Sequence, residues 1–145
     1  MHEEISELIR RYYDDWFEIN KIYYVWAKKH NISQKALFVL YEILNSKGTC
    51  TQTLICEHTS YQKQTVSQIL NSLGKQGLIK REVNRTDKRN RIITLTPEGE
   101  VYAKSLMEEL KATEIKAFML LTPKERKTVI DGLHLLARVL DRTFS

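Results

Sequence analysis

Basic side chains crowd into one short stretch of this 145-residue chain, between Lys80 and Arg91. The stretch holds six Lys and Arg residues against two acidic ones, Glu82 and Asp87, and so accounts for most of the formal net charge of +5. Lys and Arg neutralise phosphates, and a narrow DNA minor groove attracts an inserted arginine. The stretch therefore suits contact with a nucleic-acid backbone, although basic hairpins also occur on proteins that never meet DNA. We assign five residues of the stretch to a candidate nucleic-acid-binding site: Arg85, Asp87, Lys88, Arg89 and Arg91.

Polar side chains that can read bases occur just before this stretch, near residues 61 to 76. Gln and Asn pair bidentately with adenine in the major groove, and Ser and Thr are versatile partners of base edges. The members of this set are Ser60, Gln62, Lys63, Gln64, Thr65, Ser67, Gln68 and Asn71. A Gln-rich helix face is by itself more often ordinary surface, so its meaning depends on the elements that position it.

Helical spacing places these polar residues on the second helix of a helix-turn-helix. A short helix capped at Thr49 or Thr51 is predicted to end near His58, and Thr59-Ser60 is predicted to cap the next helix, which stops at Gly77. Two helices joined so closely form a helix-turn-helix. The apolar residues of the second helix predict its inner face: Val66, Ile69, Leu70 and Leu73.

Two β-rich runs, 78–83 and 91–96, follow this helix and enclose the polar residues 84–90. Such a strand, loop and strand pattern predicts a hairpin. The basic stretch therefore lies at the tip of a β-wing, near residues 84 to 91, directly after the helix-turn-helix.

Long amphipathic helices are predicted on both sides of this core. Apolar residues in the range 5–26 recur at alternating spacings of four and three, which keeps one stripe on a first helix. Asn31 or Ser33 can cap a second helix that runs to Gly48. Thr96-Pro97 and Thr122-Pro123 each supply a cap followed by proline, and so begin a fifth and a sixth helix. The sixth carries a continuous apolar face: Val129, Ile130, Leu133, Leu136, Ala137 and Leu140.

Length and composition exclude several classes of protein. A chain of 145 residues with 42% hydrophobic content can bury one core, so we expect one domain over 1–145. No stretch reaches the roughly 18 apolar residues of a membrane span, and the acidic N-terminus is unlike a signal peptide, which predicts a cytoplasmic protein. The two cysteines form no disulfide framework, and no metal motif, cofactor motif or catalytic arrangement is legible.

Two segments together resemble the MarR family of winged helix-turn-helix regulators: T-V-S-Q-I-L-N-S-L-G-K-Q-G-L-I-K-R (65–81) and R-T-D-K-R-N-R-I-I-T-L-T-P-E-G (85–99). The similarity includes the wing pattern Asp87-Lys88-Arg89 and the entry to the fifth helix, Leu95 to Gly99. It implies a mainly α fold with a small β-hairpin wing, with a core at about 33–96 and dimerisation helices at about 3–29 and 97–143. It also implies that Arg89 enters the minor groove and that Asp87 shapes the wing.

The resemblance further implies a homodimer that binds double-stranded DNA with a pseudo-palindromic operator, as a transcription regulator and repressor. Members of the family commonly bind a small aromatic or lipophilic effector between the dimer helices and the DNA-binding lobe. Aromatic residues here could line such a cleft or simply pack in the core. The candidates are Trp16, Phe17, Tyr23, Phe38 and Tyr41.

Other functions remain as alternatives. Oxidation of Cys50 and Cys56 could switch the regulator, although two cysteines six residues apart on one helix would lie roughly 9 Å apart, beyond disulfide reach. Metal sensing through the N-terminal His2, Glu3 and Glu4 is a weaker alternative. A winged helix also serves as a protein-interaction module that ignores DNA.

The polar helix departs from the family at two positions, since relatives often carry arginine at the position of Gln68 and aspartate at that of Asn71. Gln68→Arg should shift the preferred base from adenine to guanine, because Gln pairs with adenine and Arg with guanine. Selecting bound duplexes from randomised operators with the wild type and the variant measures this shift. An unchanged preference would refute a base-reading role for Gln68.

Overall fold

The computed structural model describes residues 1–87 and 89–145, and this part of the chain contains six α-helices and three short β-strands. The elements in chain order are α1 (His2–Lys29), α2 (Gln34–Asn45), β1 (Cys50–Thr51), α3 (Gln52–Thr59), α4 (Lys63–Lys75), β2 (Ile79–Glu82), β3 (Ile92–Leu95), α5 (Pro97–Met119) and α6 (Pro123–Phe144). The predicted fold class, mainly α with a small β-hairpin, is confirmed. Within the same residues, every helix is too short or too polar to cross a membrane.

The chain forms two compact units, residues 1–104 and 105–145, and α5 contributes to both. In the first unit, α2, α3 and α4 supply most of the buried apolar side chains. Val66, Leu70 and Leu73 of α4 are buried, as the helical spacing predicts, and Ile69 is half-buried. The burial of this face fixes which side of α4 remains outside.

Side-chain caps start most of these helices where the sequence predicts. The Ser33 hydroxyl accepts a hydrogen bond from the Ala36 N–H at 3.1 Å, and the Thr51 hydroxyl accepts one from the Leu54 N–H at 3.2 Å. At α6, Thr122 and Glu125 form a reciprocal capping box. These caps satisfy backbone donors that the first turn of a helix leaves unpaired.

The predicted cap of α4 at Thr59-Ser60 is wrong. Helix α4 begins later, at Lys63, and has no side-chain cap. The Thr59 hydroxyl instead donates to the Ile55 carbonyl of α3 at 2.6 Å and accepts from the Tyr61 N–H at 3.2 Å. Ser60 takes the left-handed conformation, with φ of 61°, and ends α3. The turn between the two helices therefore uses the residues that the sequence assigned to the cap.

The three strands form an antiparallel sheet in the order β1, β3, β2. The central strand β3 places Ile93 opposite both Cys50 of β1 and Arg81 of β2. Strand β1 was not predicted, because a two-residue strand carries no alternation and exists only through its pairing with β3. The predicted hairpin of β2 and β3 is present, and each strand is one residue shorter at each end than the runs 78–83 and 91–96.

A compact corner joins the end of α4, the base of the hairpin and the start of α5. The Thr96 hydroxyl donates to the Gly77 carbonyl at 2.6 Å and accepts from the Gly99 N–H at 3.0 Å, while the Thr96 N–H donates to the Leu78 carbonyl at 3.0 Å. Gly77 has a φ of +74°, which suits glycine. A Cβ at Gly99 would lie only 1.8 Å from the Leu78 carbonyl oxygen, so the close approach requires glycine.

Gly99→Ala should lower the free energy of unfolding by about 3 kcal/mol, the upper end of the usual cost of overpacking, because the methyl group meets a backbone carbonyl that has little room to move. Gly74→Ala is the matched control, since a Cβ there meets nothing within 4 Å and should raise stability by roughly 0.5–1 kcal/mol. Urea unfolding followed by circular dichroism, at one protein concentration, measures both. Equal stabilities of the two variants would contradict this account of the corner.

Candidate nucleic-acid interface

Helix α4 carries a row of exposed polar side chains on the side away from its buried residues. Each residue turns a helix by about 100°, so Gln64, Gln68 and Asn71 project away from the buried Val66. All three are exposed, and Gln68 also borders a cleft of about 290 Å³ towards the start of α2. Of the other predicted contacts, Ser60, Gln62 and Lys63 are exposed, and Thr65 and Ser67 are half-buried.

Contacts from α2 and α3 hold this helix in place. The Gln52 side-chain amide of α3 donates to the Lys63 carbonyl at 3.0 Å, across the turn of the helix-turn-helix. The Lys35 ammonium lies 5.5 Å from the centre of the Tyr61 ring, and burial raises the pKa of the Tyr61 hydroxyl. The N-terminal end of α4 is thus held by both of its neighbouring helices.

The wing is shaped by its own polar side chains. The Asn84 side-chain carbonyl accepts from the Thr86 N–H at 3.1 Å and from the Thr86 hydroxyl at 2.8 Å. The Asp87 carboxylate accepts from the Arg89 N–H at 3.1 Å, which is the contact that a shape-holding role for Asp87 requires. Asn90 faces the Thr53 hydroxyl of α3 at 3.4 Å. The predicted site residue Lys88 lies outside the described residues.

The wing arginines Arg85, Arg89 and Arg91 are exposed. Among the residues that the structure describes, no carboxylate lies within 4.0 Å of any of their guanidinium groups. Their charge is therefore available to an external anion, and their exposure leaves room for a phosphate to approach.

One contact in this region was missed by the sequence. An Arg81 guanidinium nitrogen of β2 donates to the Asn71 side-chain oxygen of α4 at 2.8 Å. Asn71 is also a predicted base reader, and its side-chain oxygen binds the wing strand. The alternation of side chains along a strand could have predicted this contact, because Arg81 lies two residues after the buried Ile79 and therefore faces the same side of the strand.

The predicted effector residues fall into separate groups. Tyr23 and Phe38 contact each other, with ring centres 6.1 Å apart, and Trp16 stacks against Phe17 at 6.2 Å. Trp16 and Phe17 are 52% and 64% exposed, and Tyr41 is 49% exposed. The alternative prediction, that these three side chains pack in the core, is therefore wrong. Phe17 lines a largely apolar groove of about 700 Å³ along α1, together with side chains in the range 18–29.

The cysteines have different surroundings. Cys50 lies in β1, before α3, and is fully buried; burial is the main cause that raises the pKa of its thiol, with Glu42 adding to the rise against a hydrogen bond from Ser46. Because the thiolate is the reactive form, this environment disfavours oxidation of Cys50. Cys56 is half-buried. In residues 1–87 and 89–145, no three His, Cys, Asp or Glu side chains gather into a metal-binding group.

Helices α3 and α4 followed by the β2–β3 hairpin define a winged helix-turn-helix. The chain belongs to the MarR family: the family's model matches residues 30–90, and the HTH-type transcriptional regulator YwhA of Bacillus subtilis is 30% identical over 101 residues, which cover 70% of this chain and 72% of that protein. A second HTH-type regulator of the same organism, YfiV, is 28% identical over 99 residues, 68% of this chain. The match spans 62% of the length of YfiV.

Solved structures show the same architecture. The MarR family regulator NMB1585 from Neisseria meningitidis has 28% identity and a TM-score of 0.79, over 94% of this chain and 96% of that chain. MepR of S. aureus, solved in complex with DNA, has 21% identity and a TM-score of 0.78, over 89% of this chain and 98% of that chain. At 21% identity, the similarity to MepR shows only that the two chains share a fold.

Proposed function

We propose that this chain is a homodimeric transcriptional repressor that binds a pseudo-palindromic operator in double-stranded DNA and is released by a small aromatic or lipophilic effector. The observation that carries the proposal is the position of the exposed amide row of α4 beside a wing whose arginines lack carboxylate partners in the described part of the chain. Membership of a family of transcription regulators supports a binding protein over an enzyme. The DNA complex of MepR supports the choice of partner.

Each half of the surface suits a different groove. Gln64 and Gln68 carry amides that can pair with adenine edges in the major groove, which is wide enough to admit a helix. Arg89, at the tip of the wing, suits the narrow minor groove, where the negative potential is enhanced. The Asp87 carboxylate binds the Arg89 N–H and so restrains the backbone that presents this arginine.

Two unpartnered apolar faces support a homodimer. Helix α6 has no buried residue, and its face contains Val129, Ile130 and Leu133, which are 47%, 50% and 61% exposed. The exposed aliphatic side chains Ile5, Leu8 and Ile9 also lie along the first half of α1. An exposed apolar surface of this extent marks an interaction site. A two-fold dimer would present two α4 helices to half-sites roughly 34 Å apart, one turn of DNA.

The aromatic side chains in the groove on α1 support effector binding. Phe17 and Trp26 line this groove, and Glu18, Lys21 and Lys29 border it. A lipophilic molecule with a polar or anionic edge fits such a lining. An effector that binds the DNA-free state more tightly than the DNA-bound state would shift the population towards release.

Arg89→Ala should weaken operator binding by about 10- to 100-fold, because a groove-inserted, phosphate-facing cation contributes on the order of 1–3 kcal/mol. Arg142→Ala is the matched control, since Arg142 is exposed near the end of α6 and is not among the residues assigned to the proposed surface. Titration of a labelled operator at several salt concentrations, followed by fluorescence anisotropy, measures both. Wild-type affinity should also fall steeply with salt.

A winged helix that serves only protein contacts gives a different result. Such a module would not retard any duplex selected from a random pool, and Arg89→Ala would change nothing in the same titration. Failure to retard any duplex would overturn the proposed DNA-binding function, whereas an unchanged affinity of Arg89→Ala alone would overturn the minor-groove role of Arg89.

Leu133→Glu should convert the dimer into a monomer and abolish cooperative occupancy of both half-sites, because it places a charge in the apolar face of α6. Leu135→Glu is the matched control: Leu135 is 63% exposed, similar to Leu133, and about 200° round the helix from it. Light scattering gives the mass and gel shift gives the occupancy. A dimeric Leu133→Glu variant would show that this face is not the interface.

A further inference from the structure

The hydrogen bond between Asn71 and Arg81 joins the outer row of α4 to the wing. The Asn71 side-chain oxygen lies 2.8 Å from a terminal nitrogen of the Arg81 guanidinium, and both residues are exposed. The position of Arg81 is fixed independently by β2, in which Arg81 pairs with Ile93 of the central strand. The sheet therefore holds the backbone of Arg81, and Asn71 holds its guanidinium.

The partner of Arg81 is neutral. An amide oxygen orients a guanidinium by accepting a hydrogen bond, but it leaves the positive charge in place, whereas a carboxylate would cancel it. In residues 1–87 and 89–145, no carboxylate lies within 4.0 Å of the Arg81 guanidinium. Arginine carries five N–H donors in a planar fork, so donors remain for a second acceptor.

A basic groove lies beside this pair. It has a volume of about 420 Å³ between the second half of α4 and β2, and Lys75, Lys80 and Arg81 line it. Gly74 forms part of its wall, and a Cβ there would meet nothing, so the groove is open at that point. Lys80 lies 3.3 Å from the Glu82 carboxylate, while Lys75 has no carboxylate within 4.0 Å among the described residues. Two cations of the groove are thus uncompensated.

We propose that this groove is a phosphate subsite for the DNA backbone, in which Asn71 acts as a positioning residue that holds Arg81 with its full charge and Arg81 and Lys75 contact one phosphate. A guanidinium fork binds phosphate bidentately, and an ammonium adds a point charge. This subsite rests on the proposed DNA-binding function and assigns Asn71 a role other than base reading. It places a backbone contact between the base-reading row of α4 and the Arg89 wing.

The test compares salt dependence in three variants. Arg81→Gln should reduce the slope of log affinity against log salt by about one, equally for the operator and for an unrelated duplex. Asn71→Asp should have a similar effect because it gives Arg81 an anionic partner of the same shape. Asn45→Asp, at the exposed end of α2, controls for the added negative charge and should leave the slope unchanged.

A double variant separates positioning from simple repulsion. If Asn71 acts through Arg81, Arg81→Gln should weaken binding about tenfold in the wild-type background and by less than threefold in the Asn71→Asp background. Thermal unfolding of every variant verifies that the fold is retained. Additive losses would overturn the positioning role.

The remaining outcomes distinguish this subsite from the wider function. Wild-type slope in Arg81→Gln, together with salt-dependent binding by the wild type, would overturn the phosphate subsite alone. A changed base preference in Asn71→Ala, without a change of slope, would identify Asn71 as a base reader and would also overturn it. Failure of the wild type to bind any duplex would instead overturn the proposed function.

Discussion

The hydroxyl group of Thr96 holds together the elements that carry the proposed DNA-binding surface: α4, the wing and the start of α5. This hydroxyl donates to the Gly77 carbonyl in the turn after α4 and accepts from the Gly99 N–H in the first turn of α5. The backbone N–H of Thr96 donates to the Leu78 carbonyl and closes the base of the hairpin. The approach of Gly99 to Leu78 is possible only without a side chain at that position. Three hydrogen bonds and one glycine therefore hold the junction between the end of α4, the base of the wing and the start of α5.

The surface that results separates two physical tasks. Amides on α4 offer directional donors and acceptors without charge, which suits discrimination between bases. Guanidinium groups on the wing and on β2 supply charge, which adds affinity without discrimination. Asn71 lies where the two meet, and its side-chain oxygen accepts a hydrogen bond from Arg81 of the charged half. Membership of a helix face is thus a poor guide to the role of a single residue.

Much of the fold could be predicted because its signals are local. Thr-Pro pairs marked the starts of α5 and α6, and the spacing of Val66, Leu70 and Leu73 marked the buried side of α4. The features that were missed depend on distant partners. Strand β1 exists through Ile93 and Ile92, more than forty positions away. The later start of α4 is the exception, because it follows from a local bond: the Thr59 hydroxyl donates to the Ile55 carbonyl four residues earlier in α3. The exposure of Trp16 could not be predicted, because an apolar stripe on a helix does not reveal whether its own chain or another molecule covers that stripe.

The absence of any buried residue on α6 has a consequence for the concentration at which the protein works. Under the proposed dimer, the apolar face of this helix leaves water only on association, so mass action couples folding stability to the amount of chain present. A regulator built in this way would lose occupancy of its operator more steeply than in proportion when its own synthesis falls. The concentration of the chain would then affect operator occupancy twice, through assembly of the dimer and through binding of the dimer to DNA.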